Sequence, residues 1–68
     1  MDVAIRINGQ EHEVPAGTTV AELVARLELR PEQVAVELNR ELVARDRRDS
    51  TRLAAGDQVE LVTLVGGG

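Results

Sequence analysis

The chain has 68 residues, a formal net charge of −4, and no cysteine, lysine or aromatic residue. That inventory excludes disulfides, thiolate metal clusters, a thiolate nucleophile and a lysine Schiff base. With no aromatic face for a base to stack on, and a negative charge toward phosphate, it also argues against a nucleic-acid partner. The length allows one domain, expected over residues 1–68 with 66–68 as a flexible tail, and such a chain buries only ~60% of its unfolded surface. Its thin core must come from 10 Val, 8 Leu and 2 Ile.

In chain order, Val3, Ile5 and Ile7 alternate with Ala4 and Arg6, the period of a half-buried strand. Asn8-Gly9 then signals a tight hairpin, because a type I′ turn needs positive φ at both central residues. The return strand runs from Gln10 to Val14, with His12 and Val14 on one face, and Pro15 and Gly17 end it. A helix follows. Thr19 and Glu22 have the spacing of a capping box, and Val20, Leu23, Val24 and Leu27 form one apolar stripe. Arg30-Pro31 is expected to close this segment, since the residue before proline avoids helical geometry.

Val34, Val36 and Leu38 are in phase for a third strand, Asn39-Arg40 is a turn, and Glu41-Leu42-Val43 is a short fourth strand. Arg45 to Arg52 is dense in both charge signs and reads as a solvated, self-neutralising loop, with Leu53 anchoring it under the sheet. Gly56-Asp57 is a further turn, and Val59 to Val65 is the last strand, leading into Gly66-Gly67-Gly68. One helix stripe against one sheet face gives a two-layer α+β fold. A right-handed crossover returns the third strand to the same sheet, although these rules leave the strand order open.

Few of these residues offer chemistry of their own. There is one His (His12) and one Ser (Ser50), too few for a triad, and His12 has no second His or any Cys to complete a metal site. The chain is therefore not expected to be an enzyme by itself. The longest apolar run falls well short of the ~20 residues of a membrane span, and Met1-Asp2 does not open a signal peptide. The expected location is cytoplasmic, with no membrane partner.

Taken together, the Gly17 to Leu23 segment, Val36-Glu37-Leu38-Asn39, and the ending from Ala55 to Gly68 resemble the β-grasp family that includes ubiquitin. The resemblance covers the whole chain and is greatest to the bacterial sulfur carriers of the ThiS and MoaD type. Length and ending favour ThiS, whereas Ala44 stands where many such sequences have proline. The resemblance implies a mixed sheet of four to five strands packed on one helix. It also implies that the Gly68 carboxylate is adenylated by a ThiF-like enzyme using ATP and converted to a thiocarboxylate by a persulfide sulfur donor. Thiazole synthase (ThiG-like), in thiamine synthesis, would then accept the sulfur. No cofactor bound by the chain itself is implied.

Glycines suit such a tail because they lack Cβ and allow close approach to a partner, and three of them extend ~10 Å past Val65. Three terminal glycines can also be simple disorder. An apolar strand running straight into them favours the functional reading. Within that strand Val59 and Leu61 should meet the helix, while Val62 and Leu64 should point outward beside Glu60. Glu60, Val62, Leu64 and Val65 are therefore the expected docking residues, with Gly66 and Gly67 threading Gly68 to its chemistry. The alternatives are a MoaD-like carrier with another acceptor, a ubiquitin-like modifier joined to lysines through Gly68, and a binding module whose tail is idle.

Overall fold

β1 (Asp2–Ile7) and β2 (Gln10–Pro15) form the hairpin predicted at Asn8-Gly9, where φ is 50° at Asn8 and 83° at Gly9. They pair antiparallel from Asp2 with Pro15 to Ile7 with Gln10. The computed structural model of the protein describes residues 1–64; Val65, Gly66, Gly67 and Gly68 lie outside the described residues, and with them the expected tail.

α1 (Val20–Arg26) starts where its capping box says it should. Thr19 Oγ1 accepts the Glu22 N–H at 3.1 Å, and Glu22 Oε1 accepts the Thr19 N–H at 2.9 Å. Its end differs from expectation. The helix stops at Arg26, before Arg30-Pro31 is reached, because Glu28 turns to φ 59°. The Glu28 N–H then donates to the Ala25 carbonyl at 3.0 Å and the Leu29 N–H to the Val24 carbonyl at 3.1 Å. That bond pair is a Schellman cap, with glutamate in the place glycine usually takes. Pro31 instead opens a 3₁₀ turn over Pro31–Gln33.

β3 (Val34–Leu38) and β4 (Glu41–Leu42) follow, joined at Asn39-Arg40, and β5 (Gln58–Thr63) completes one five-stranded sheet in the order β2-β1-β5-β3-β4. β5 is parallel to β1 and antiparallel to β3, so the last strand fills the place between the hairpin and the crossover strand. The sheet is mixed, as expected for the α+β class. Val20, Leu23 and Val24 of the helix bury against Ile5, Ile7, Val14, Val34, Val36 and Val59, with Leu27 and Leu61 at the margin.

Leu53 is buried as the sequence suggested. The Leu53 N–H donates to the Thr18 carbonyl at 2.8 Å and the Val20 N–H to the Thr51 carbonyl at 2.9 Å. The Arg45 to Arg52 segment is largely solvated, as read, with Arg45, Asp46, Arg47, Asp49, Ser50 and Arg52 exposed, but it is not a plain loop and one of its charges is not at the surface. Arg45–Ser50 is a 3₁₀ helix, and Arg48 is buried with its guanidinium turned inward to backbone carbonyls. Charge density alone hid this, because an arginine can satisfy inward-facing acceptors that no other residue of the segment reaches. No helix among the described residues is long and apolar enough to cross a membrane.

Candidate functional site

β5 is the central strand of the sheet and the last element before the glycines in sequence, and its residues alternate between two surroundings. Val59 is buried and Leu61 half-buried against the helix side, while Glu60 and Val62 are exposed on the outer face. Val62 is 56% exposed and Leu64, just past the strand, 51%. The outward placing of Glu60, Val62 and Leu64 therefore agrees with the alternation read from the sequence. Val65, Gly66, Gly67 and Gly68 lie outside the described residues.

The strand is held differently on its two sides. β1 pairs with it only at Arg6 with Gln58 and Ile7 with Val59. Beyond that point the Asn8 side chain takes over: its Oδ1 accepts the Leu61 N–H at 2.8 Å, and its Nδ2 donates to the Leu61 carbonyl at 3.2 Å. On the other side β3 pairs as far as Thr63 with Val34, and the Leu64 N–H donates to the Gln33 carbonyl at 2.7 Å. The backbone entering the tail is thus fixed by the segment before β3 and by one asparagine.

The outer face combines apolar and acidic groups. Glu60 lies directly across from Glu37, and Val62 across from Ala35. Leu42, paired with Glu37 from β4, adds a side chain that is 71% exposed on the same face. Like charges directly opposed across strands destabilise a sheet, so the Glu37 and Glu60 pair is not there for stability. Sequence reasoning missed Glu37 and Leu42 because their place depends on register, and it read Asn8 as a turn residue alone. On the helix side, a shallow apolar groove runs beside the same strand between Leu27, Leu29, Val34 and Leu61. Among the described residues no group of three or more His, Cys, Asp or Glu side chains could hold a metal ion.

This geometry, a mixed five-stranded sheet grasping one helix with its last strand leading into the glycines, is the ubiquitin-like β-grasp. The crystal structure of the thiamine biosynthesis protein ThiS from Geobacter metallireducens superposes with a TM-score of 0.83 at 35% sequence identity, covering 97% of this chain and 100% of that one. The sequence model of the ThiS family matches residues 4–68, and the chain belongs to that family. It is 32% identical over 65 residues to the sulfur carrier protein ThiS of Bacillus subtilis, covering 94% of this chain and 98% of that protein. It is also 42% identical over 64 residues to a thiazole synthase of Magnetococcus marinus, covering 94% of this chain and spanning only 20% of that protein's length.

Proposed function

We propose that this chain is a sulfur carrier of thiamine synthesis, acting in the cytoplasm through the carboxylate of Gly68. A carboxylate oxygen attacks the α-phosphorus of ATP on a ThiF-like enzyme, pyrophosphate leaves, and an acyl adenylate forms. The terminal sulfur of an enzyme persulfide attacks that carbonyl carbon and AMP leaves. That step forms a C–S bond and leaves an acyl disulfide. A second thiol then attacks the donor's sulfur and breaks the S–S bond that came with the persulfide, forming a disulfide with the donor and releasing the Gly68 thiocarboxylate. The thiocarboxylate sulfur is the nucleophile passed to a thiazole synthase.

The observation that carries this reading is the ThiS-family match, which runs from residue 4 to residue 68 and so includes the three glycines. Thiazole synthase as acceptor is supported by the relative of that name, in which a segment similar to this chain is part of a much longer protein. Exposed Val62 and Leu64, on the outer face with Glu60, provide apolar surface a few residues before the glycines in sequence, the kind of patch that marks an interaction site. Val65, Gly66 and Gly67 would enter the partner's cleft. A carrier that holds sulfur on its terminal carbonyl also has no need of the cysteine this chain lacks.

The test is an intact mass after incubation with a ThiF-like enzyme, ATP and a persulfide source. The expected result is a gain equal to the difference between one sulfur and one oxygen, absent when Gly68 is deleted. An unchanged mass, with no AMP adduct from several such enzymes, would remove the carrier reading and leave a β-grasp binding module.

A further inference from the structure

Among the described residues Arg48 is the one charged side chain that the fold buries, at 5% exposure, and carrier chemistry gives it no task. Its Nη1 donates to the Pro31 carbonyl at 2.9 Å and its Nη2 to the Val34 carbonyl at 2.7 Å. Its Nε is buried without a hydrogen-bond partner. A buried charge is costly unless it is paired and fully hydrogen-bonded, and among the described residues the partners of Arg48 are carbonyls and no carboxylate answers it. Burial, and then the positive charge of Arg45, lower the Arg48 pKa from its ordinary value, yet a guanidinium remains charged. An aliphatic side chain could fill the same space at less cost. What it could not do is span two carbonyls with a rigid fork of donors.

Those two carbonyls enclose a particular stretch of backbone. Between Pro31 and Val34 lies Gln33, whose carbonyl accepts the Leu64 N–H at 2.7 Å, and Val34 itself pairs with Thr63. Fixing the carbonyls on either side of Gln33 fixes the peptide that grips the last described residue before the glycine end. We propose that Arg48 is a positioning residue: its guanidinium holds the Pro31 to Val34 backbone in the shape that clamps Leu64, and so sets the platform from which the tail is presented. The clamp stands on geometry alone, and only its effect on activation rests on the carrier reading.

The experiment measures amide hydrogen exchange by NMR on the full chain, with Arg48→Met and Arg48→Lys beside the parent. The Leu64 amide, just past β5 and held by Gln33, is compared with the Leu61 amide inside β5, held by Asn8. In Arg48→Met, Leu64 exchange should accelerate at least tenfold more than Leu61 exchange, and Arg48→Lys, which cannot fork between the carbonyls, should be intermediate. A role in stability alone would accelerate both amides together, and an unchanged ratio overturns the proposal. Should Arg48→Met fail to fold, the ratio in Arg48→Lys decides on the same criterion. In parallel, AMP-adduct formation with a ThiF-like enzyme should show KM raised several-fold in the folded variants with kcat little changed. If the parent forms no adduct, the carrier reading fails while the exchange ratio still judges the clamp.

Discussion

Four described residues other than glycine hold positive φ, and they do so on different terms. Asn8 and Asn39, at 50° and 51°, are of the type that tolerates this region, and both use their side chains there. Asn39 Oδ1 accepts the Gln58 N–H at 3.0 Å, and its Nδ2 reaches Asp57 Oδ1 at 3.1 Å, tying the β3–β4 turn to the turn before β5. Glu28 and Arg40, at 59° and 73°, have no comparable compensation. The left-handed region costs an ordinary residue roughly 1–2 kcal/mol, part of which glycine returns as backbone entropy. Glu28→Gly and Arg40→Gly should therefore each stabilise the protein by about 0.5–1 kcal/mol. In urea titrations their midpoints should rise with the slope unchanged. The Asn39-Arg40 turn was legible because asparagine announces it. The helix end was not, because nothing about glutamate marks a left-handed cap.

At the scale of elements, the helix was legible at its start and the sheet in its parity. Thr19 and Glu22 set the first turn by local chemistry, and alternation placed Val59, Leu61, Glu60 and Val62 on their observed sides. Seven residues make too short a helix to stand alone, so α1 owes its existence to caps and to the sheet beneath it. Thr19→Ala should cost about 1 kcal/mol. Leu53→Ala should cost about 2–5 kcal/mol, a loss a core this thin can scarcely absorb, and thermal unfolding of the two variants should rank them in that order. The strand order was not legible, since the parallel pairing of β1 with β5 joins residues some fifty positions apart and no local pattern records it. The inward turn of Arg48 was hidden for a related reason: its acceptors at Pro31 and Val34 are distant in sequence.

At the scale of the molecule, the candidate site divides in the same way. The glycine end and the exposed apolar parity of β5 could be read along one strand, whereas Glu37 and Leu42 joined them only once the register was known. The result is an outer face with apolar side chains at Val62 and Leu42 around two glutamates paired across strands, on the strand that precedes the glycines in sequence. If that face docks the activating enzyme, a charge in it should separate binding from folding. Val62→Asp replaces a side chain that is 56% exposed, so it opens no cavity, and lost strand propensity with the nearby Glu60 should limit its cost to about 1 kcal/mol, leaving the protein folded for the assay. An interface anchor typically contributes more than about 1 kcal/mol, so KM for AMP-adduct formation should rise roughly tenfold with kcat nearly unchanged. The control is Glu13→Gln on β2, exposed two strands away from β5, which should leave both constants alone. Equal KM values for the parent and Val62→Asp would place docking elsewhere, with the groove between Leu27, Leu29 and Leu61 the next surface to probe.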